Sequence, residues 1–426
     1  MQTQAIILAA GESSRFWPLN KSHKSQIKIL GKPLVYWTIK SLSQRNIRDI
    51  IIIASPNNIS DLKTELKTET KELGVNISFV VQEKPLGTGD AIFKARGLIR
   101  GPFFVFWPYQ IIAGEIALNM LSLAGKEKNS YVFTGVETKT RDYGILKMEH
   151  DKLVGIVEKP KNGQEFSPFR VVGSYFLQPD FFEYFQKVKH HPEDFVDALN
   201  LSIKDKTPGL IILKKDVATL KFPWDILGLQ KILLDSAEMK NYVDLSAKVR
   251  QNVTMGGLVS IGENTIVGEN TVILGPCHIG PNCKIGANNV LRGPLDIEGE
   301  VVTGAFCELK NSLIQKGTHF HSGYFGDSVI GENCRFGAGF ITANRRIDRG
   351  NINSIVKGKK IDTGLTYFGM VCGNNTRFGI HSGTMPGILI GSNCAIGPGS
   401  IVSENIEDGI KYFTEFKATK KKINAE

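Results

Sequence analysis

Cysteine is sparse and poorly placed for cross-linking. The 426-residue chain has six, all in its C-terminal half and none in a CxxC pair, which argues against a disulfide framework and against cysteine–zinc modules. Four of them, Cys277, Cys283, Cys334 and Cys394, fall at one position of a six-residue repeat, so buried thiols are expected. No run of about 18 apolar residues occurs, which excludes a membrane-spanning helix. The opening MQTQAIILAAG lacks the basic start and long apolar stretch of a secretion signal, so a cytoplasmic location and no membrane partner are expected. GKS, GKT and GxGxxG are absent, which argues against a P-loop and a dinucleotide fingerprint. Acidic residues are outnumbered 42 to 52 by Lys and Arg, for a net charge of +10. That balance suits anionic small molecules. The basic residues are spread along the chain without a recognisable nucleic-acid module, so no nucleic-acid partner is expected. The basic stretch Lys417 to Lys422 reads as a solvated end, with a phosphate contact as the alternative.

What the chain does have is a beat of six. Ile261, Val267, Ile273, Ile279, Ile285 and Leu291 recur every sixth residue, with Gly262, Gly268, Gly280 and Gly286 directly behind four of them. Helices repeat every three or four positions and half-buried strands every second, so a period of six means a short strand, a turn and a new face. Three such faces close one coil of a β-helix. Small residues at the fifth position, Thr265, Thr271, Cys277 and Cys283, fit an interior too narrow for large side chains. The beat returns at Ile330-Gly331 and Ile390-Gly391. The pattern predicts a prism over 253–405 of about eight coils, which at ~4.8 Å per coil is roughly 40 Å tall. It breaks in part over 292–329 and almost wholly over 343–368, and both stretches are expected as loops thrown out from the column.

Residues 1–238 read as alternating strands and helices, with strands near 4–8, 49–54, 77–82 and 102–107, giving an α/β domain. A linker at 239–252 and a tail at 406–426 complete the expected layout. The first strand runs into Gly11-Glu12-Ser13-Ser14-Arg15, a turn whose backbone N–H groups and Arg could hold phosphates.

LAAGESSRFWPL, Lys24 ahead of GKPL, Gln82, Gly87-Thr88-Gly89-Asp90-Ala91, Tyr143-Gly144 and Glu158-Lys159-Pro160 together resemble the sugar-1-phosphate nucleotidyltransferases. With the hexapeptide prism behind them, nearly the whole chain resembles the bifunctional uridylyltransferase and glucosamine-1-phosphate acetyltransferase family, nearest to its archaeal-type members. The resemblance implies a Rossmann-like nucleotidyltransferase domain followed by a left-handed parallel β-helix. It implies that Leu8, Ala9, Ala10, Gly11 and Arg15 cradle a triphosphate while Lys24 offsets charge on the transferring phosphoryl group. Gln82, Gly87 and Thr88 would read the base, and Gly144, Glu158 and Lys159 would face the sugar phosphate. Attack by a sugar phosphate on the α-phosphorus, with pyrophosphate leaving, depends on positioning and on cations.

In its N-terminal half the chain departs from that family at Tyr109, Thr219, Ser13 and Val172. Pro108-Tyr109 stands where a metal-holding Gly-Asp belongs, and the late metal position aligns on Thr219. A phenol and a hydroxyl are poor Mg²⁺ ligands beside carboxylates, so no metal ligand is assigned and Mg²⁺ is expected only if this site works, with Asp90 or Asp225 as the alternative holder. Ser13 replaces a loop glycine, and Val172 replaces a polar sugar contact. These changes point to an eroded site, although Arg15 and Lys24 keep the context of phosphate binding and not that of incidental surface cations.

Farther along, Glu308-Leu309-Lys310-Asn311, His319-Phe320-His321-Ser322-Gly323-Tyr324-Phe325-Gly326-Asp327 and Gly337 to Asn344 are similar to the acetyltransferase half of the same family. There a His, three residues ahead of a Tyr, removes a proton from the amine that attacks acetyl-CoA. His321 fits that spacing and His319 does not, and a near-neutral pKa suits the task. The resemblance gives Arg292 and Lys310 the sugar phosphate, Tyr324 and Asn344 the sugar, and Ala338 the CoA arm. Arg335 stands where Asn is common, which leaves the amino sugar open, and the loop after Asn344 differs in length from the bacterial form. The family association also implies a homotrimer.

Three functions follow as expectations. The first is acetyl-CoA-dependent N-acetylation of an amino-sugar 1-phosphate in nucleotide-sugar biosynthesis, beside a weak or silent nucleotidyltransferase domain. The second is a working sugar-1-phosphate nucleotidyltransferase. The third is a non-catalytic subunit that senses a nucleotide sugar. In the blandest reading His321 and Tyr324 merely fill a loop on a prism.

Overall fold

A computed structural model describes residues 3–127, 131–137, 143–158, 160, 167–214 and 217–420. Two compact units are present, the first from residues 1–13, 22–27 and 32–219, the second from 14–21, 28–31 and 220–426. No described helix is long and apolar enough to cross a membrane.

The first unit is built on a twisted sheet. Its main path runs Gly209–Leu213, Val132–Glu137, Phe169–Leu177, Phe103–Phe106, Gln4–Ala9, Asp49–Ala54, Asn76–Val81. Gln4–Ala9 pairs in parallel with Asp49–Ala54 on one side and with Phe103–Phe106 on the other. All six of its residues are buried, as the near-continuous apolar run of a strand covered on both faces requires. The chain order reverses across this strand, so its carboxyl end at Ala9 is a topological switch point, where open α/β sheets bind ligands.

In the second unit three parallel sheets of 8, 9 and 8 strands form the faces of a prism. The six beat residues are 0–2% exposed and belong to one continuous core. Early coils advance by 18 residues, as from Val259 to Cys277. Asn264, Asn270, Asn282 and Asn288 take φ of 55–58° at the corners, a left-handed conformation that Asn tolerates better than most residues. Their amides stack from coil to coil, as Asn264 Nδ2 to Asn282 Oδ1 at 3.3 Å and Asn270 Nδ2 to Asn288 Oδ1 at 3.3 Å. The small inward residues satisfy backbone groups of adjacent coils: Thr265 Oγ1 donates to Gly280 O at 2.7 Å and accepts from Cys283 N at 3.0 Å. All six cysteines are buried and free, and burial pushes the thiols of Cys277, Cys283 and Cys307 up to about 12.

Several expected boundaries are corrected. The prism begins before 253: Tyr242–Val243 and Lys248–Val249, within the expected linker, pair with its next coil. Val243 and Val249 carry the beat one coil earlier without the glycine that makes it legible. The helix Ile226–Leu234, expected in the N-terminal domain, packs with the second unit, where Gln230 Nε2 donates to Pro294 O at 3.1 Å and Ser312 O at 3.0 Å. Part of the expected tail, Lys411–Tyr412, pairs with Ala395–Ile396 on the last coil. Residues 292–329 are not thrown out as loops; they stay in the prism as shortened coils, advancing 16 residues from Cys307 to Gly323. Their interior turns aromatic, with Phe320 stacked on Phe336 at 5.1 Å and Phe336 on Phe378 at 4.5 Å. Larger side chains fill an interior whose periphery has lost residues. The second interruption is a true excursion, since Val329 pairs next with Val371, and it carries the hairpin Asn353–Val356 with Lys359–Asp362.

Within the second unit, His278, Asp296 and Glu298 converge closely enough to suggest a metal site. Their oxygens are already engaged: Asp296 accepts from Leu30 N at 2.7 Å and from His278 Nδ1 at 2.6 Å, and Glu298 accepts from Gly31 N at 3.0 Å. The cluster pins the segment Lys28–Gly31.

Candidate functional sites

The sequence-predicted nucleotide residues of the first unit gather around three local arrangements. Leu8, Ala9 and Ala10 are buried at the end of the switch-point strand, and Gly11 faces open space. Gln82, 4% exposed, donates from Nε2 to Gly87 O at 3.0 Å and to the Asp90 carboxylate at 2.8 Å. Gly87 has φ +122°, and a Cβ there would lie 2.8 Å from Pro192 O, so glycine alone permits the turn that presents Thr88. Gly144 abuts Glu158, whose Oε1 would lie 2.7 Å from an added Cβ. Lys159 lies outside the described residues. Arg15 is on the segment 14–21, which packs with the second unit. There Trp17 Nε1 donates to Asp408 at 3.1 Å and Lys357 Nζ to Ser14 Oγ at 2.9 Å.

Lys24 is set by a neutral histidine. Burial and then Lys24 itself push the His23 imidazole down to about 3, so its Nδ1 accepts from Ser25 N at 3.2 Å and caps the short turn carrying Lys24. The Lys24 ammonium sits 5.0 Å from the centroid of the Tyr109 ring, a cation–π contact at one of the two positions where the resemblance places a metal ligand. At the other, Thr219 Oγ1 lies 3.2 Å from the Tyr143 hydroxyl. A phenol with an ammonium over its ring and a hydroxyl bonded to a second phenol do not fit Mg²⁺, which takes carboxylate and phosphate oxygens. Both alternative carboxylates have structural partners: Asp90 accepts from Gln82, and Asp225 accepts from Lys221 N at 2.7 Å and Phe222 N at 2.8 Å. Ser13 adopts φ +52°, consistent with the glycine it replaces. Val172 is buried, its carbonyl accepting from Gln110.

The prism carries the second arrangement where its shortened coils turn a corner. His321 sits in the turn between His319–Phe320 and Gly323–Gly326. Two glycines shape that turn: Gly323 at φ +141°, where a Cβ would meet Phe340 O at 2.0 Å, and Gly304, whose Cβ would meet His321 O at 2.2 Å. The exposed His321 imidazole lines a cleft of about 520 Å³ with Ala338, Ser322, His319 and Arg335. Among the described residues, no carboxylate lines that cleft. Arg335 bonds His319 Nδ1, and burial followed by this cation pushes the His319 imidazole down.

Arg292, Lys310, Tyr324 and Asn344 lie on the adjoining face. Arg292 and Lys310 are register partners on successive strands, and Glu308 is the partner of Tyr324. Asn344 Nδ2 donates to Tyr324 Oη at 2.9 Å and also to Asp327. Lys310 Nζ reaches Asp327 at 3.1 Å, Asn311 Nδ2 reaches it at 2.6 Å, and Arg292 pairs with Glu308. Burial and then Asp327 push the Tyr324 phenol up, so it remains a neutral hydrogen-bond donor. The sequence reading assigned no role to Asp327, the 2%-exposed hub of this network, or to Tyr367, whose ring takes the cations of Lys310 and Arg345 at 4.6 Å each. The Gly-Asp pair signalled Asp327. Tyr367 enters from an excursion without repeat, where spacing carries no information.

Residues 4–241 match the nucleotidyl transferase family, 258–293 the bacterial transferase hexapeptide family and 371–404 the hexapeptide repeat of succinyl-transferase. A bifunctional sugar-1-phosphate nucleotidylyltransferase/acetyltransferase of Sulfurisphaera tokodaii is 32% identical over 420 residues, covering 95% of this chain and 98% of that one. Proteins named bifunctional protein GlmU from Methanococcus vannielii and Methanocaldococcus jannaschii are 30% and 31% identical, each over 95% of both chains. With an α/β nucleotidyltransferase domain, a hexapeptide β-helix and this likeness along nearly its whole length, the chain belongs to the bifunctional sugar-1-phosphate nucleotidyltransferase/acetyltransferase family and is a transferase.

Proposed function

We propose that the protein N-acetylates an amino-sugar 1-phosphate of the glucosamine-1-phosphate type, using acetyl-CoA, in nucleotide-sugar biosynthesis. The observation that carries this is His321: an exposed imidazole in an acid-free cleft, at the corner joining it to the Tyr324–Asn344–Asp327–Lys310 network. Its imidazole takes the proton from the amine as nitrogen attacks the thioester carbonyl. The C–N bond forms, the C–S bond breaks, and the thiolate leaves as CoA and is protonated. Arg292 and Lys310 hold the phosphate, Tyr324 and Asn344 orient the sugar, and Ala338 lies along the CoA arm. The enzyme works as a homotrimer in the cytoplasm. The nucleotidyltransferase domain is weak or silent, a reading supported by the Lys24–Tyr109 contact and the Thr219–Tyr143 bond at the altered metal positions. Its remaining residues, Gly11, Arg15, Gln82, Gly87, Thr88, Gly144, Glu158 and Lys159, bind nucleotide and sugar phosphate.

Thiol release from acetyl-CoA with glucosamine-1-phosphate or galactosamine-1-phosphate tests the first part, and His321→Ala abolishes it. A second reading, a working nucleotidyltransferase, is favoured by the name of the Sulfurisphaera relative. It predicts Mg²⁺-dependent pyrophosphate release by the wild-type protein. On the reading preferred here that release is absent or slow, and Tyr109→Asp with Thr219→Asp raises it.

A further inference from the structure

Resting on the acetyltransferase reading, a feature of the excursion 343–368 points to an additional part of the acceptor site. Arg345 follows Asn344, the residue that bonds Tyr324 and Asp327. Its guanidinium stacks on Tyr367 at 4.6 Å, and its buried Nε has no hydrogen-bond partner among the described residues. The same Tyr367 ring takes the Lys310 ammonium at 4.6 Å. Arg292, in register with Lys310, likewise has a buried Nε with no partner among the described residues, although its terminal nitrogen pairs with Glu308. A buried N–H left unmatched is costly, and an anion that arrives with acceptor oxygens removes the cost.

The charges agree. Three cations, Arg292, Lys310 and Arg345, face two carboxylates, Glu308 and Asp327, so the group carries an excess positive charge that a phosphate monoester offsets. An arginine held over an aromatic face keeps its in-plane donors available for such a group.

We infer that Arg345 is a third phosphate-binding cation of the amino-sugar 1-phosphate site and that Tyr367 is the positioning residue that holds it beside Lys310. The excursion thus sets the preference for a 1-phosphate over a free amino sugar.

The test uses the full-length protein. Arg345→Met raises KM for glucosamine-1-phosphate roughly tenfold or more, the loss expected for a charge-assisted contact. KM for acetyl-CoA moves less than about twofold by the same measure. Tyr367→Phe, which keeps the ring, behaves as wild type, whereas Tyr367→Leu follows Arg345→Met. KM for glucosamine without phosphate is unaffected by any of the three. An unchanged KM for glucosamine-1-phosphate in Arg345→Met, or an equal loss with glucosamine, overturns the assignment. Calorimetric titration with glucose-1-phosphate, which has no amine to acetylate, separates the two layers. Wild-type binding that weakens in Arg345→Met supports the anion site even if no thiol is released. Thiol release together with equal glucose-1-phosphate affinity in both proteins leaves the acetyltransferase standing and removes Arg345 from it.

Discussion

At the residue scale, the proposed acetyl site depends on which polar groups are matched with partners. Asp327, nearly fully buried, is tolerated because Lys310, Asn311 and Asn344 all donate to it. A buried carboxylate without such partners would be expensive. His321 has no such structural duty, so its substitution should cost catalysis and not stability: His321→Ala is expected to keep the wild-type melting temperature. The corner asparagines show the opposite balance. At Asn282, with φ of 58°, Val should cost about 1–2 kcal/mol because a β-branched side chain resists the left-handed region, as urea unfolding would show. His321 was legible because a His–Tyr spacing with Gly-Asp survives in the sequence. Arg345 and Tyr367 were not, since their meeting depends on how the 21 intervening positions fold back.

At the element scale, the six-residue beat exposed the prism wherever glycine follows the inward residue. It failed at the N-terminal end, where Val243 and Val249 lack that glycine, and in the shortened coils, where a 16-residue step puts the apolar positions out of phase. The physical compensation in those coils is the aromatic column Phe320–Phe336–Phe378. Phe336→Ala should therefore cost about 3–5 kcal/mol, the penalty for a large cavity in a well-packed core, measurable by chemical denaturation. The corner that carries His321 is built on the same coils, so this variant should also lose acetyl transfer when assayed near its lowered melting temperature. The α/β strands were legible because each is a short apolar run. The helix Ile226–Leu234 belongs to the nucleotidyl transferase family match yet clusters with the second unit, which its apolar face could not announce, since that face says only that it is covered, not by what.

At the scale of the whole molecule, two properties follow from burial. Six buried free thiols should resist a thiol-specific reagent in the native state and react together on unfolding. The second concerns pH. Burial and then the neighbouring Asp296 push the Glu298 carboxyl up from 4.5 to about 7, against the opposing pull of His278 and Lys28. A raised folded-state pKa means the folded form binds the proton more tightly. The stabilisation is complete below pH 4.5 and is lost as pH rises to about 7. Glu298→Gln, which keeps an acceptor for Gly31 N, should abolish that decline in a melting-temperature profile. A profile equally steep in the variant would assign the decline to other groups.

The central claim is that the prism's His321 site transfers an acetyl group to an amino-sugar 1-phosphate. The most direct measurement is release of free thiol from acetyl-CoA by the purified full-length protein, with glucosamine-1-phosphate or galactosamine-1-phosphate as acceptor. The account predicts release that depends on the acceptor and is abolished in His321→Ala at unchanged melting temperature. No release with either acceptor, or release that persists in His321→Ala, would contradict it.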